Sequence, residues 1–253
     1  MKKFDSLPCR LASAQRLAAD VFDFTFACPA LVENARPGQF AQIRLPGHTL
    51  RRPISICGID KGQGTLRFVF QVRGQGTAEL AQCGPGDDLE ILAPLGNGFP
   101  IGPGKRTLLI GGGIGVPPLL GCAAELGQNA IACLGFRTKA AVILEGDFKA
   151  AGARVSIATD DGTYGHHGLV TELAEKEEFD VVFACGPTPM LKAAKALGER
   201  RGVPCFLSLE ERMACGIGAC LGCATPLLRE GGGQYFGHVC KDGPVFDSVR
   251  VAL

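Results

Sequence analysis

Four cysteines lie close together in the C-terminal part of this 253-residue sequence, in a spacing that suggests chemistry. They stand as Cys215-x4-Cys220-x2-Cys223, and sixteen residues separate Cys223 from Cys240. This C-x4-C-x2-C…C arrangement is that of plant-type ferredoxins, whose thiolates hold a [2Fe–2S] cluster. Ligands this close in sequence require sharp backbone turns, which glycine permits. The glycines of the loop are Gly216, Gly218 and Gly222. The spacing therefore predicts that all four cysteines are ligands of a [2Fe–2S] cluster.

Two other interpretations of these cysteines stay open. Structural zinc usually takes paired C-x2–4-C knuckles, and only Cys220 and Cys223 form one here, with His238 two residues before Cys240. A zinc site does not require a third cysteine, Cys215, five residues before Cys220 in the same loop, so an iron–sulfur cluster is favoured. The third interpretation is four thiols that hold nothing.

A second group of candidate residues lies in the N-terminal half. Arg52-Pro53-Ile54-Ser55 begins a predicted strand, and Gly76-Thr77 belongs to a glycine turn before a predicted helix. Taken singly, the first is an edge strand that starts with proline and the second is a turn with Thr77 as the helix N-cap. An arginine and a helix N-terminus on one small domain are also able to bind a pyrophosphate. Because a nucleotide-type domain follows, the pair favours a flavin dinucleotide.

The third group of candidates lies at the ends of predicted parallel strands. The strand at 107–110 runs into Gly111-Gly112-Gly113-Ile114-Gly115, and a helix follows, as in dinucleotide-binding domains, although the strict G-x-G-x-x-G pattern is absent. Asp160 follows a later strand, where an acid accepts a ribose hydroxyl and repels a 2′-phosphate, or simply belongs to an Asp-Gly turn. Cys185-Gly186-Pro187 ends another strand at the carboxyl edge, where open sheets bind ligands. We interpret His166-His167 as a surface loop.

Hydrophobic periodicity indicates two folding patterns and a short tail. Residues 1–101 alternate apolar and polar positions between turns, which predicts an antiparallel β-barrel. Residues 105–207 alternate buried strands (107–110, 131–134, 155–158, 181–185 and 205–209) with helices (117–126, 169–175 and 190–200), which predicts an α/β domain with a five-stranded parallel sheet. Residues 208–253 are too few to build a core alone. We expect something other than hydrophobic burial to hold this tail.

Composition limits the kind of partner. Lys and Arg number 26 against 25 Asp and Glu, so the chain lacks the strong field that would bind nucleic acid or an anionic membrane surface. The sequence has no signal peptide and no apolar run of membrane-spanning length, which predicts a cytoplasmic protein with reduced thiols. The eight cysteines outside the cluster are interpreted as small apolar residues, mostly buried.

Together these motifs resemble the electron-transfer subunits of dihydroorotate dehydrogenase B, iron–sulfur flavoproteins of the ferredoxin–NADP reductase-like superfamily. The resemblance extends over essentially the whole chain and is most specific at residues 208–223. It implies FAD bound by Arg52, Pro53, Ile54, Ser55, Val69, Phe70, Gln71, Gly76 and Thr77. It implies NAD bound near Gly111, Gly112, Gly113, Gly115, Asp160, Cys185, Gly186 and Pro187. It implies cluster ligation by Cys215, Cys220, Cys223 and Cys240. Two departures are Ile54, where the superfamily usually has an aromatic residue, and Gln71, where a basic residue is expected.

The resemblance implies a role in electron transfer. An FMN-containing catalytic subunit would oxidise dihydroorotate in pyrimidine (UMP) biosynthesis, and its electrons would pass through the [2Fe–2S] cluster and FAD to NAD. The expected assembly is a heterotetramer of two plus two subunits. No catalytic acid or base is assigned to this chain, since the cofactors carry the chemistry. The alternatives are a reductase subunit of a hydrogenase or of a ferredoxin–NAD(P) oxidoreductase, and a non-enzymatic, zinc-stapled binding module.

Overall fold

The computed structural model describes residues 4–253, and its N-terminal part is a closed antiparallel barrel. The six strands are β1 (Asp5–Ala18), β2 (Val21–Ala27), β3 (Phe40–Arg44), β4 (Arg52–Asp60), β5 (Thr65–Gln71) and β6 (Asp88–Leu95). They close in the order β1-β2-β5-β4-β3-β6. Two short helices, α1 (Pro29–Val32) and α2 (Gln75–Leu80), lie between strands. The predicted antiparallel barrel is confirmed.

Phenylalanines fill the barrel because they alternate along β2 and β5. Phe24 and Phe70 are fully buried and meet edge to face, with ring centroids 5.1 Å apart. Asp23, on the opposite face of β2, is buried as well, since its carboxylate pairs with Arg67 at 2.7 Å. The same guanidinium reaches Asp147 of the following domain at 2.5 Å. Arg67 therefore fastens the barrel to that domain.

The middle of the chain is an α/β domain. Its strands are β7 (Thr107–Gly112), β8 (Ala130–Phe136), β9 (Arg154–Thr159), β10 (His166–His167), β11 (Val181–Cys185) and β12 (Cys205–Ser208). Its helices are α3 (Pro117–Leu126), α4 (Glu145–Ala150), α5 (Val170–Ala174) and α6 (Thr188–Arg201). The five predicted strands pair in parallel in the order β9-β8-β7-β11-β12, which confirms the predicted sheet. Crossover helices cover both faces of the central strands, so β7 and β11 are buried along their whole length.

The sheet has seven strands rather than five, because one short strand is added at each edge. His166 and His167 pair in parallel with the end of β9, so the interpretation of this pair as a surface loop is wrong. The turn after β9 brings the chain back along the open edge of the sheet, where strand pairing satisfies its backbone. The other added strand, β15 (Val245–Asp247), comes from the C-terminal segment and runs antiparallel to β12.

The C-terminal segment forms a hairpin of β13 (Ala224–Leu228) and β14 (Gln234–His238), then α7 (Val239–Asp242) and β15. Leu227, Val239 and Phe246 are buried in one apolar cluster with residues of the sheet and with Phe40 of the barrel. The expectation that something other than hydrophobic burial holds this segment is wrong. The segment is too small for its own core, but it shares the core of its neighbours.

The three predicted domain ranges, 1–101, 105–207 and 208–253, stay predictions. The last barrel strand ends at Leu95, the first sheet strand begins at Thr107, and β12 ends at Ser208. Since β15 extends the sheet of the middle domain, the last boundary separates sequence segments more clearly than packing units. No helix within residues 4–253 is long and apolar enough to cross a membrane.

Candidate functional site

The four clustered cysteines are brought together in space. Three of them lie on residues 215–223, which we call the thiol loop, and Cys240 lies on α7. The Cys240 amide donates to Cys223 Sγ over 3.4 Å, and the Gly218 amide of the thiol loop donates to Cys240 Sγ over 3.1 Å. The described part of the chain has no group of three Cys, His, Asp or Glu side chains placed to hold a single metal ion. The hydrogen bonds through Cys223 and Cys240 nevertheless place α7 against the thiol loop.

Backbone amides of the thiol loop point at the sulfur atoms. The amides of Ala219 and Ile217 donate to Cys215 Sγ over 3.2 and 3.5 Å, and that of Gly218 donates to Cys240 Sγ over 3.1 Å. Burial raises the pKa of the Cys215 thiol, but the amide donors outweigh it and lower the pKa to about 6. Soft thiolates surrounded by amide donors fit an iron–sulfur cluster, whose sulfurs are stabilised by such hydrogen bonds.

Glycine at two loop positions is required by backbone conformation. Gly216 and Gly218 have φ angles of +72° and +83°, which side chains disfavour. Gly222 acts differently, since its φ is not positive and a Cβ there would lie 3.4 Å from Cys220 Sγ. The remaining left-handed turn falls on Leu221, with φ of 59°. The loop thus turns at Gly216 and Gly218, as the sequence predicts. It also turns at Leu221, a residue type that does not indicate a turn.

The arginine and the glycine turn of the barrel are in direct contact. A Cβ atom added to Gly76 would overlap the guanidinium of Arg52, so any larger residue there would displace that guanidinium. Arg52 Nη2 donates to His48 Nδ1 over 2.7 Å, which leaves His48 Nε2 to donate to Glu79 Oε2 over 2.7 Å. We call these four residues, His48, Arg52, Gly76 and Glu79, the arginine cradle. It fixes a guanidinium against a backbone turn, an arrangement suited to phosphate.

The sequence suggests Thr77 as the N-cap of α2, but the structure places Gly74 at that position. The helix begins one residue after Gly74, and Thr77 lies in its first turn. The Thr77 hydroxyl accepts from the amides of Arg73 and Gly74 over 2.8 and 3.1 Å. The Thr77 side chain therefore folds back onto the start of the helix. The predicted N-cap role is wrong, but the prediction that Thr77 lies at the glycine turn is right.

The other residues assigned to FAD differ in what they expose. Ile54 and Ser55 are half-buried on β4, and Pro53 is exposed. Phe70 and Val69 are buried, so only their backbone is left for a ligand. Gln71 Nε2 donates to Asp20 over 2.6 Å at the mouth of a cleft. The FAD assignment of these residues stays a prediction.

A cleft of about 860 Å³ separates the barrel from the carboxyl edge of the sheet. Most residues assigned to NAD line it: Gly112, Gly113, Gly115, Asp160, Gly186 and Pro187. A Cβ on Gly115 would overlap the carbonyl of Cys185, and one on Gly112 would lie 2.8 Å from Met190 Sδ. Because β7 and β11 are neighbours, the glycine turn and the end of β11 meet at one place. A dinucleotide can therefore approach the backbone closely here.

Two residues assigned to NAD lie beneath the cleft rather than on it. Gly111 is buried in β7, and the Cys185 side chain is 2 % exposed. Burial raises the pKa of the Cys185 thiol to about 12, so it stays protonated. Among the eight cysteines outside the cluster, seven are buried and Cys83 is half-buried, as predicted for small apolar residues.

The cleft also contains charged residues that sequence reasoning missed. Arg73 precedes α2, Arg137 follows β8, and Glu210 follows β12, and all three line the cleft. Glu210 is exposed as a whole, but desolvation of its carboxyl in the cleft raises its pKa, and the charge of Arg73 opposes the rise. Arg137 stands at a strand end, the position that singled out Asp160, and could have been found by the same rule. His48 and Glu79 of the cradle carry no comparable signal.

Comparison with known proteins identifies the family to which this chain is related. Residues 210–252 match the family model of the iron–sulfur cluster binding domain of dihydroorotate dehydrogenase B. The chain is 46% identical to a dihydroorotate dehydrogenase B (NAD(+)), electron transfer subunit, of Geobacillus thermodenitrificans, over 96% of this chain and 97% of that one. The chain belongs to the family of dihydroorotate dehydrogenase B electron transfer subunits. A second relative of the same description, from Caldanaerobacter subterraneus, is 43% identical over 97% and 98% of the two chains.

Solved structures share the fold of this chain. An NADH-dependent reduced ferredoxin-NADP oxidoreductase superposes with a TM-score of 0.85 and 32% identity, over 97% of this chain and 90% of that chain. A ferredoxin reductase of carbazole 1,9a-dioxygenase superposes with a TM-score of 0.66 over 79% of this chain and 67% of that one. At 22% identity the second likeness shows the fold alone. The predicted ferredoxin reductase-like fold is confirmed.

Proposed function

We propose that this chain is the electron transfer subunit of an NAD-dependent dihydroorotate dehydrogenase, and that it holds FAD and a [2Fe–2S] cluster. The observation that carries the proposal is the thiol loop, where four cysteines and converging amide donors lie against a barrel with an arginine cradle. A cluster passes single electrons, and a flavin exchanges one or two, so the two together connect a one-electron carrier with a hydride acceptor.

The proposed cluster ligands are Cys215, Cys220, Cys223 and Cys240. Cys223 and Cys240 are 2 % exposed, whereas Cys220 is exposed at the surface. Ile217 and Leu221, the large apolar residues beside Cys220, are also exposed. The thiol loop therefore combines a covered side toward the barrel with an open, apolar side toward solvent. This asymmetry suits a subunit that receives electrons from a partner docked at the loop.

The FAD residues proposed are Arg52, Pro53, Ile54, Ser55, Val69, Phe70, Gln71, Gly76 and Thr77. Arg52 holds the pyrophosphate against the turn at Gly76, since His48 and the Leu50 carbonyl fix two of its nitrogens at 2.7 and 2.5 Å. Thr77 keeps that turn closed through its hydrogen bonds to Arg73 and Gly74. A preorganised guanidinium costs little entropy on binding, which favours tight retention of the dinucleotide.

The NAD residues proposed are Gly111, Gly112, Gly113, Gly115, Asp160, Cys185, Gly186 and Pro187. The glycine turn lets the dinucleotide backbone approach β7 and β11, and Gly111 and Cys185 support that surface from below. The Asp160 carboxylate, at the rim of the cleft, accepts from a ribose hydroxyl and repels a 2′-phosphate. The chain itself supplies orientation and exclusion of water, and no acid or base on it is needed for hydride transfer.

The proposed partner is an FMN-containing catalytic subunit that oxidises dihydroorotate to orotate in pyrimidine (UMP) biosynthesis. Two copies of each subunit form the proposed heterotetramer. The proposed location is the cytoplasm, which agrees with twelve free cysteines and no disulfide among residues 4–253.

The test begins with the chain purified anaerobically, in which we expect one flavin and about two irons with two sulfides per chain. Co-expression with the catalytic subunit is expected to give dihydroorotate-dependent reduction of NAD. Zinc at one per chain in place of iron would overturn the proposal.

A second candidate function is reduction of NAD(P) from ferredoxin. The structural likeness at TM-score 0.85 to an NADH-dependent reduced ferredoxin-NADP oxidoreductase favours it. The identity of 46% to an electron transfer subunit of dihydroorotate dehydrogenase B outweighs that of 32% to the oxidoreductase. Reduced ferredoxin that supports NADP reduction, with no response to dihydroorotate and its catalytic subunit, would decide for the second candidate.

A further inference from the structure

Gln42 is a fully buried side chain whose polar atoms have no partner within the described protein. It is 0 % exposed, and neither Nε2 nor Oε1 makes a hydrogen bond. Its neighbours Ala41 and Ile43 face the core of the barrel, so Gln42 faces outward on β3. An outward position on a barrel is usually solvated, but here the C-terminal segment covers it. A buried amide without a partner is costly, and each such case calls for an explanation.

The thiol loop lies directly over this amide. A Cβ atom on Gly216 would lie 2.9 Å from Gln42 Nε2 and 2.8 Å from its Cγ. Gly216 follows Cys215, so the amide is beneath the first proposed cluster ligand. Phe40, two residues earlier on the same face, belongs to the apolar cluster that contains Cys223 and Cys240. The outer face of β3 is thus the floor of the thiol loop.

The same face also reaches the flavin stretch. Gln42 pairs across β3 and β4 with Pro53, and Phe40 pairs with Ser55. Directly paired residues share a face of the sheet. Gln42 therefore lies between the strand assigned to FAD and the loop assigned to the cluster. Its approach to the loop is direct, since a Cβ atom on Gly216 would overlap the Gln42 side chain.

We propose that Gln42 Nε2 donates a hydrogen bond to a sulfur atom of the bound [2Fe–2S] cluster or its Cys215 thiolate. The proposal rests on the proposed function, since it requires the cluster. Gln42 adds a side-chain donor from the barrel to the loop's own amides from Ile217, Gly218 and Ala219. Reduction adds negative charge to the cluster, and a donor stabilises that charge, so Gln42 raises the reduction potential. It is a positioning and tuning residue on the flavin side of the cluster.

The experiment compares Gln42→Met with Gln39→Met in the full, cluster-loaded chain. Gln39 is a matched control: it is also buried, but Oε1 accepts from the Arg36 amide and Nε2 donates to the Gly96 carbonyl, each over 2.8 Å. We expect Gln42→Met to keep its iron and to lower the cluster potential in an EPR-monitored titration. The expected change is about tenfold in the ratio of reduced to oxidised cluster at a fixed potential, or about 59 mV for one electron. Gln39→Met should leave the potential unchanged and lower the melting temperature.

Two further readouts keep the outcomes distinct. Pulsed EPR on the reduced wild-type chain, labelled with ¹⁵N at glutamine side chains, should detect a nitrogen coupled to the cluster, and Gln42→Met should remove that coupling. An unchanged potential with no such coupling would overturn the role of Gln42 and leave the proposed function standing. A shift in the flavin potential alone would assign the amide to FAD and overturn this inference too. A wild-type chain without iron and sulfide would instead contradict the proposed function.

Discussion

The thiol loop and the arginine cradle are both candidate cofactor sites, but they are built in different ways. Three of the four clustered thiols lie within nine residues, and the amides that donate to Cys215 Sγ come from the same loop. The cradle is assembled from β4, α2 and the loop between β3 and β4, so residues 31 positions apart, His48 and Glu79, must meet. A site built locally is visible as spacing in the sequence. A site assembled by the barrel becomes visible only once the barrel is formed.

The largest expected effect is loss of the cluster from the thiol loop, with the arginine cradle left intact. Cys223→Ala removes a buried proposed ligand, so the cluster should be lost. Dihydroorotate-dependent NAD reduction by the complex should fall by about 100-fold or more, because even outer-shell changes at metal sites cost about 10- to 100-fold. Flavin content should stay at one per chain, since the cradle lies on the barrel. Cys83→Ser, outside the loop and half-buried, is the control. A full complement of iron in Cys223→Ala would contradict the assignment.

The next effect is expected at the cradle. In Gly76→Ala the new methyl group displaces the Arg52 guanidinium, which it would otherwise overlap. Charge-assisted hydrogen bonds contribute roughly 1.5–3 kcal/mol, so the affinity for FAD should fall by about 10- to 100-fold. Gly84→Ala is the matched control, because nothing lies within 4 Å of a Cβ there and its φ is not positive. The measurement is the FAD dissociation constant from flavin fluorescence, with iron content followed in parallel. An equal loss of FAD affinity in Gly76→Ala and Gly84→Ala would show that the contact between Gly76 and Arg52 does not contribute to FAD binding.

The same contrast explains what the sequence could predict. Strand periodicity and cysteine spacing are local, so the barrel, the five parallel strands and the crowding of four thiols followed from them. Thr77 was misplaced at the N-cap because threonine is a common N-cap residue, whereas here the cap is Gly74 and the Thr77 hydroxyl accepts from the Gly74 amide. His48 and Gln42 gave no signal, since their roles depend on which residues of other elements fold over them. The C-terminal segment was thought to lack a hydrophobic anchor because its core residues pack on strands far away in sequence.

A smaller effect is expected at the cleft, which like the cradle is assembled from distant segments. Asp160→Asn removes the carboxylate proposed to repel a 2′-phosphate, worth roughly 1 kcal/mol in water and more when partly shielded. The ratio of kcat/KM for NADP to that for NAD should rise by about tenfold. Asp161→Asn is the control: this adjacent acid accepts from the Thr163 hydroxyl over 2.7 Å and does not line the cleft. If both variants change the ratio of NADP to NAD activity by the same factor, the overall negative charge near the cleft, and not a ribose contact of Asp160, explains the preference for NAD.

The smallest effect concerns His48, the cradle residue that no sequence pattern revealed. His48→Ala leaves Arg52 without the acceptor at 2.7 Å and frees Glu79, so the guanidinium is less well fixed for phosphate. Loss of one such hydrogen bond costs about 1 kcal/mol, which predicts roughly fivefold weaker FAD binding with an unchanged cluster. His166→Ala is a matched control, because it breaks a similar pair with Glu172, at 2.6 Å, on the far edge of the α/β sheet. Titration of the flavin-free chain with FAD measures both. Loss of iron in His48→Ala would show that the locally built loop depends on the cradle, and the two sites would then have to be treated as one.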